Sequence, residues 1–550
     1  MKPRFLVLTV ALLCLLALPS VALAENEPGG KIDTGVQTVL EATGGDVAIP
    51  VMVNAPGALD QVSAMIPLGV EVTQLPLVDS VAAFLTPAEI AALGNASFVT
   101  AIVADNPVFG FDYRSTMDVT NLTIGLADVP AAADGSRPAG DGVTVAVLDS
   151  GVATNTDLAA GRVVGWKDFV NGRPAPYDDA GHGTYVAGLI AGDGTASLPL
   201  EKGGYATVQF RGVAPAADIV GIKVLDELGQ GRTSTMIAGI AWAIAHKDEY
   251  DIRVLNLSIG GNPVSSFTRD PVDRAVEAAW RSGITVVCAA GNEGDFGAGG
   301  ILSPGNDPFV ITVGATDTQQ TAAVTDDVVA DYSSVGPTLF DEVAKPDLVA
   351  PGNRLISLRT QGSYIDTNFP DNVIPLADFA PTAPAETASN YLMLSGTSTS
   401  APVVAGAAAL MIGEDPRLTP DDVKVRLMGT ADHVVGASAH QQGAGTLDVD
   451  GALAATTRAE GWALSAFLGD GKKFFKNGDY NKWEQRAWQK YGWTKYKWTK
   501  YKWTKYKWTK YKWTDIAWTK YKWTKYKWTK YKWTEYEWAK YKWTTLIEGQ

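Results

Sequence analysis

With 550 residues, 46% of them hydrophobic, the chain is too long for one small domain and can bury a large core, so several segments are expected. Its net charge of −14 conceals an asymmetry: residues 472–550 carry 22 Lys+Arg against 6 Asp+Glu, or +16, leaving −30 for residues 1–471. An acidic body and a basic tail are expected to meet different partners.

Lys2 and Arg4 precede an apolar run from Phe5 to Leu18, and Ala22-Leu-Ala24 supplies the small residues of a signal-peptidase site. Residues 1–24 are therefore predicted to be a signal peptide, with a retained membrane anchor as the alternative; the run is short for a membrane span. Removal of this segment takes Cys14 with it and leaves Cys288 alone in the apolar run Ile284–Ala290. The mature chain then forms no internal disulfide, and Cys288 reads as a buried structural thiol.

After a weakly patterned lead come a strand at Val47–Val53, a short helix at Ala58–Met65, two strands within Val70–Leu85 and a helix opened by Thr86-Pro-Ala-Glu89. A strand pair at Phe98–Phe111, turning at Asn106-Pro107, completes a β-α-β-β-α-β order, which is ferredoxin-like. Further on, strand and helix alternate. Strands are predicted at Val143–Leu148, Ile219–Val224, Val254–Ser258, Ile284–Ala290 and Val310–Ala315, and helices after His182, at Thr233–Ala245, at Val272–Arg281 and at Ser400–Met411. Such alternation gives an α/β fold with a mostly parallel sheet covered by helices on both faces, with the site at the carboxyl ends of strands.

Three segments carry the chemistry: Asp149 in Ala146-Val-Leu-Asp-Ser-Gly151, His182 in Gly181-His-Gly-Thr184, and Ser398 in Gly396-Thr-Ser-Thr-Ser-Ala-Pro402. A serine alcohol is too weakly acidic to attack unaided, so it needs a base, and the base needs an acid to orient it. The chain order Asp, His, Ser differs from that of two unrelated hydrolase folds. These segments stand in line with Asp141-Gly-Val-Thr-Val-Ala-Val-Leu-Asp149, Gly212-Val-Ala-Pro215, Asn256-Leu-Ser-Ile-Gly-Gly261, Ala289-Ala-Gly-Asn-Glu-Gly294, Lys345-Pro-Asp-Leu-Val-Ala-Pro-Gly352 and Gly443-Ala-Gly-Thr-Leu-Asp-Val449. On that collinear set, residues from about 120 to 456 resemble the catalytic domain of a subtilisin-like serine protease, a subtilase of the S8 peptidase type.

The resemblance implies a secreted or cell-surface serine endopeptidase. Asp149, His182 and Ser398 are its expected triad, and Asn292 the oxyanion-hole side chain. Gly229, Gln230 and Gly231, with Ser258, Ile259 and Gly260, correspond to the two strands that pair an extended polypeptide substrate. Ala289, Ala290 and Leu302 correspond to walls and floor of the primary pocket, which favours large apolar side chains, with Glu293 at the rim tolerating a basic one. By position, residues 25–115 resemble the inhibitor-I9-like propeptide that chaperones folding and plugs the site; an unrelated small binding domain is the alternative. The expected division is signal 1–24, propeptide 25–115, catalytic domain 116–460 and tail 461–550.

Departures from the family pattern are Tyr185, where His is frequent, and Thr399-Ser400, where Met-Ala is frequent. Thr195–Phe210 and Thr360–Asn390 look inserted, as surface loops shaping substrate access. No cofactor is required for the chemistry. Structural Ca²⁺ is frequent in the family, and Tyr177-Asp-Asp179 is an acidic turn of the kind that serves it, although no ligand set is assigned. Neither a His-Glu-x-x-His zinc pattern nor a phosphate loop occurs.

The tail is a pentapeptide repeat, mostly Trp-Thr-Lys-Tyr-Lys, with thirteen Trp at every fifth position from Trp483 to Trp543. A five-residue step advances about 140° on a helix and makes no stripe, so extended or β structure is expected. Aromatic planes beside ammonium groups suit cell-envelope or matrix polyanions or glycans, with nucleic acid disfavoured in an exported chain. A spacer or solubilising stalk is the alternative. For the whole chain, the competing reading is a noncatalytic surface or matrix-binding protein built on a protease-like scaffold.

Overall fold

The computed structural model describes residues 31–33, 36–37, 40, 47–110, 138–159, 161–319, 321, 323–384 and 387–468; the expected signal segment and the repeat tail lie outside them. The N-terminal layer consists of β1 (Ile49–Asn54), α1 (Leu59–Met65), β2 (Val72–Leu75), β3 (Ser80–Leu85), α2 (Pro87–Asn95) and β4 (Ala101–Ala104). Its antiparallel sheet has the order β2-β3-β1-β4, the ferredoxin-like arrangement expected from the sequence. Helix α2 starts where the sequence signals it: Thr86 and Glu89 form a reciprocal capping box, with Pro87 in the first turn.

Side-chain alternation gives this sheet two buried faces. Val51, Val53, Val81, Ala83, Leu85, Ile102 and Ala104 form a small core with residues of α1 and α2, including Val62, Ile90 and Leu93. The intervening Met52, Ala82 and Val103 belong instead to the large core of the following domain. A period of two therefore both folds the small domain and glues it to its neighbour.

The strand at 107–110 differs from the expectation. β5 (Pro107–Gly110) makes no hairpin with β4; it crosses to the larger domain and becomes the middle strand of a separate three-stranded sheet. The turn expected to reverse the chain is anchored elsewhere, because the Asn106 carbonyl accepts the Thr233 N–H at 2.9 Å.

The larger domain runs β6 (Thr144–Asp149), β7 (Val163–Asp168), α3 (His182–Ala191), β8 (Asp218–Lys223), β9 (Gln230–Arg232), α4 (Thr233–Ala245), β10 (Ile252–Leu257), β11 (Ile259–Gly260), α5 (Pro271–Arg281), β12 (Thr285–Ala289), β13 (Ile311–Asp317), β14 (Val328–Val329), β15 (Leu348–Pro351), β16 (Leu355–Leu358), β17 (Tyr391–Leu394), α6 (Thr397–Glu414) and α7 (Pro420–Thr430). The main sheet has the order β14-β13-β12-β10-β6-β8-β7, with β15 also on β13; every pair is parallel except β13–β14. Strands such as β6 and β12 are buried at every position, which explains their apolar runs Val145–Leu148 and Val286–Ala289. Helix α6 packs on α3 and across β10, β12 and β13, while α4 packs on α5.

The folded body extends past the boundary expected at 460. Ala344 N–H donates to the Ala466 carbonyl, Leu468 N–H to the Glu342 carbonyl, and Ala463 and Ala466 form a small core with Ala344 and Val425. Ser465 lies among buried charges, donating to Asp347 at 2.6 Å and accepting from Lys424 at 2.9 Å. Thr195–Phe210 and the segment after Thr360 do more than loop over the surface: Phe210, Phe379 and Tyr391 form an edge-to-face aromatic cluster with centroids 4.8–5.4 Å apart.

Candidate active site

Asp149, Ser258 and Asn292 lie at or just past the carboxyl ends of β6, β10 and β12, where a parallel sheet exposes its ligand crevice. His182 is the first residue of α3, and its Nδ1 stands 2.8 and 3.0 Å from the two Asp149 carboxylate oxygens, with both side chains buried. The Ser150 N–H donates to Asp149 Oδ1 at 2.7 Å and holds the carboxylate in place. Glycine at 183 permits this closeness, since a methyl there would overlap the Gly151 carbonyl oxygen and lie 3.1 Å from the Asp149 Cβ. Burial works against a charged His182, but the Asp149 carboxylate outweighs it through charge and hydrogen bond. With Asp178 adding to the effect, the imidazole is held above its ordinary range.

Asp178 ties the turn that carries His182. Its buried carboxylate accepts Ser150 Oγ at 2.8 Å, Gly181 N–H at 2.8 Å, Thr184 N–H at 2.8 Å and Thr184 Oγ at 2.7 Å. Asp179 pairs with Lys223 Nζ at 2.5 Å, and Tyr177 OH donates to Asp168 at 2.9 Å. The acidic turn considered for Ca²⁺ is thus engaged within the protein, and no group of three or more His, Cys, Asp or Glu arranged for a metal occurs among the described residues.

Ser398 is the second residue of α6, which begins at Thr397 rather than at Ser400 as expected. Pro402 accounts for a further detail. Lacking an N–H, it cannot bond the carbonyl four residues back, which is that of Ser398. Ser258 Oγ supplies the missing donor at 2.8 Å, and Asn256 Nδ2 holds Ser258 at 2.9 Å. The nucleophile candidate is therefore tied through its own main chain to the strand end at Ser258.

Asn292 is oriented by Thr397, whose N–H and Oγ–H donate to Asn292 Oδ1 at 2.9 and 3.0 Å; Gly291 N–H donates to the same Thr397 hydroxyl at 3.0 Å. With its oxygen engaged, the amide nitrogen is turned toward Gly396. A Cβ built on Gly396 would lie 3.0 Å from Ser398 Oγ and 3.2 Å from Asn292 Nδ2, so hydroxyl and amide border one small space.

Gln230 and Gly231 of β9 pair antiparallel with Phe109 and Val108 of β5, and Ile259 and Gly260 of β11 pair with Gly110 and Phe109. The two strands assigned to an extended substrate therefore flank a segment of the chain itself. Gly229 sits in the turn before β9, donating to the Asp226 carbonyl at 3.1 Å. The Ile259 side chain is in the core, so its share in pairing is main-chain only. Ala289, Ala290 and Leu302 come together: Leu302 N–H donates to the Ala290 carbonyl at 3.0 Å, and Ala289 and Leu302 share the main core. Burial raises the Cys288 thiol well above its usual range, consistent with a structural role.

The family model described as the subtilase family matches residues 140–445. The chain belongs to the subtilase family. It is 39% identical to the serine protease AprX of Bacillus subtilis over 325 residues, covering 58% of this chain and 68% of that protein. It is 33% identical to subtilisin DY of Bacillus licheniformis over 316 residues, covering 57% of this chain and 91% of that protein. The solved structure of fervidolysin from Fervidobacterium pennivorans, described as a keratinolytic enzyme related to subtilisin, shares the fold. Its TM-score is 0.55 at 23% identity, over 75% of this chain but under two thirds, 62%, of that one. The family is one of serine endopeptidases.

The subtilase departures have structural uses. Tyr185 is buried and its hydroxyl donates to the Leu355 carbonyl at 2.7 Å, joining α3 to β16. Thr399 Oγ lies 2.8 Å from both the Gly352 and the Gly396 carbonyls, and Ser400 fills the space beside Gly352. Sequence reasoning missed two supports of the site. Asp178 is legible only as acidic, because its partners Ser150 and Thr184 lie outside its own segment; Thr397 stands inside the serine motif, but its grip on Asn292 spans 105 residues.

Proposed function

We propose that the chain is a secreted, self-processed serine endopeptidase in which Ser398 is the nucleophile, His182 the general base and acid, Asp149 its orienting carboxylate, and Asn292 an oxyanion donor. Ser398 Oγ attacks the scissile carbonyl carbon as its proton passes to His182 Nε2. The carbonyl oxygen gains charge beside Asn292 Nδ2 and the Ser398 N–H. Collapse expels the amine, which takes the proton from His182 and leaves an ester on Ser398; water then repeats the sequence with His182 as base. The observation that carries this reading is the Asp149–His182 pair at 2.8 Å together with the Ser398 and Asn292 groups facing one space beside Gly396. Covalent labelling of Ser398 by a fluorophosphonate tests it. Failure of folded, propeptide-free protein to react would favour the noncatalytic scaffold.

Because His182 must be neutral to accept the proton, kcat/KM is expected to fall as pH drops through its raised pKa, leaving a neutral-to-alkaline enzyme. The stability effect has the opposite sense. A His whose pKa is raised by folding adds stability below its unfolded value and loses that contribution as pH rises through the folded one. A pH–rate profile with an optimum near 4 would contradict the mechanism.

Residues 25–115 act as the propeptide. Support comes from β5, seated between β9 and β11 as an antiparallel substrate would be, and from the apolar face shared by Met52, Ala82 and Val103 with the larger domain. Asp105 adds a polar lock: its buried carboxylate accepts Ser234 N–H at 2.8 Å and Ser234 Oγ at 2.6 Å at the start of α4. Self-cleavage falls between about 110 and 120, just beyond the strand that fills the groove. Polypeptides are the substrates, with large apolar side chains favoured in the pocket of Ala289, Ala290 and Leu302.

The repeat tail attaches the secreted enzyme to envelope or matrix polymers. Removing residues 472–550 should leave turnover of a short peptide nearly unchanged, because the proposed catalytic groups lie before residue 456. The same deletion should weaken adsorption to anionic envelope preparations, with intact enzyme released by salt if the +16 segment acts through charge, or by soluble sugars if Trp and Tyr stack on glycans. Equal adsorption by both forms would reject attachment.

A further inference from the structure

We infer that the turn Arg359–Phe369, which opens into the stretch Thr360–Asn390 that looks inserted in the sequence, is a positioning element for His182, a role that rests on the proposed function and gives this stretch a task in it. The turn leads into a short helix, Tyr364–Asn368, whose first-turn amides need acceptors. The Asp366 N–H finds the Ser363 hydroxyl, which caps the helix. Tyr364 N–H donates to the Asp179 carbonyl at 2.8 Å and Ile365 N–H to the Ala180 carbonyl at 3.0 Å. These acceptors are the two residues immediately before Gly181 and His182. Ser363 also abuts Gly181, because a Cβ on that glycine would run into the Ser363 hydroxyl.

The turn is itself stiffened from within. Arg359 Nε pairs with Asp366 Oδ1 at 2.5 Å, and Gly362 N–H donates to Asp366 Oδ2 at 2.7 Å. Arg359 reaches on to the Ser389 carbonyl at 3.1 Å, closing the base of the insertion, and its own carbonyl accepts Asn155 Nδ2 at 3.3 Å. Both members of the ion pair are largely buried, with side chains 17% and 7% exposed, which favours one fixed geometry over a screened surface contact. Asp178 grips the His182 turn from the Ser150 side, and the insertion grips it from the other. Asp178 alone leaves the carbonyls of Asp179 and Ala180 unrestrained; the two added bonds fix the peptide planes that aim the imidazole. Small displacements of a base relative to its nucleophile are costly in rate, so the element acts on the chemical step and not on substrate affinity.

Proline at 364 breaks the contact twice over, by removing the donor and by setting its ring Cδ against the Asp179 carbonyl oxygen. The position is the first of a helix, where proline fits, and Ser363 is already extended, with φ −69° and ψ 171°, as a residue before proline must be. Tyr364→Pro unbonds and displaces the Asp179 carbonyl while keeping the helix, whereas Tyr364→Ala removes the ring and keeps the donor. The expected result is a fall of about tenfold in kcat for Tyr364→Pro, with KM within about twofold, and little change in either constant for Tyr364→Ala. Asp366→Asn should lower kcat in the same way. Hydrogen exchange of amides 181–184, followed in full-length protein with Ser398→Ala as background to prevent self-digestion, should speed up in Tyr364→Pro and Asp366→Asn but not in Tyr364→Ala. Unchanged exchange at 181–184 and unchanged kcat in Tyr364→Pro and Asp366→Asn would overturn the inference, as would a rise in KM alone. The exchange arm needs no activity, so a chain that fails to react with a fluorophosphonate would defeat the proposed function while still reporting on the turn.

Discussion

Ser398→Ala is expected to abolish fluorophosphonate labelling, to lower kcat by about 10⁶, the scale on which subtilisins respond to loss of the nucleophile, and to leave the fold intact. The structural basis for the last point is that Ser398 is anchored through its main chain: its carbonyl accepts Ser258 Oγ at 2.8 Å, and that bond survives removal of the Ser398 hydroxyl. The large effect follows from the proposed mechanism, in which the ester forms on this hydroxyl; the oxyanion donors and the groove alone would sustain only a small residual rate. The same substitution reports on maturation. If the strand in the groove is the end of a self-removed propeptide, the variant should accumulate as a precursor beginning near Glu25, with the segment through Gly110 attached. N-terminal sequencing of secreted material checks this. Ser398→Ala protein trimmed between about 110 and 120 like the wild type, with no other protease present, would overturn self-processing while leaving the catalytic assignment standing.

The parts of the fold most legible in the sequence are those governed by local periodicity. β6 and β12 announce themselves because strands buried on both faces carry near-continuous apolar runs, here Val145–Leu148 and Val286–Ala289, and α2 because Thr86 and Glu89 satisfy helix-end amides within four residues, with Pro87 in the first turn. The collinear glycine-rich turns carry the candidate triad for the same local reason. Where partners are remote, the pattern is silent. Pro107–Gly110 has the composition of a strand, but its partners lie at Gln230–Arg232 and Ile259–Gly260, so a hairpin with Ala101–Ala104 is the natural and incorrect expectation. The helix expected at Ser400–Met411 already contains Pro402 but starts three residues late, because the donor that serves the Ser398 carbonyl in place of the absent Pro402 N–H is the remote Ser258 hydroxyl. Residues 461–468 group with the tail by their position before a basic repeat, although Ser465 completes a buried network with Asp347 and Lys424.

Asn292→Ala is expected to lower kcat by about 10²–10³ with little change in KM, a magnitude carried over from subtilisins by family resemblance. The direction follows from the geometry. Asn292 Oδ1 is held by Thr397 N–H and Oγ at 2.9 and 3.0 Å, which leaves Nδ2 facing the space beside Gly396 that Ser398 Oγ also borders. A donor fixed in this way gains most when the carbonyl oxygen becomes an anion, so its loss weighs on the transition state more than on the bound substrate. The substitution should have a second, separable consequence. Thr397 is buried, and without Asn292 its N–H and hydroxyl lose their acceptor, at a cost of about 1–3 kcal/mol for a buried group left unpaired. A lowered Tm is therefore expected together with the lowered kcat. Asn292→Asp retains the acceptor for Thr397 but has no N–H and carries a charge that repels the oxyanion, so it should recover part of the stability and none of the rate. Steady-state kinetics on a short peptide substrate, with thermal unfolding of the fluorophosphonate-inhibited enzymes, measures both. A rise in KM at unchanged kcat would assign Asn292 to substrate binding, and a recovery of kcat in Asn292→Asp would show that the amide acts by holding Thr397 and not by donating to the oxyanion.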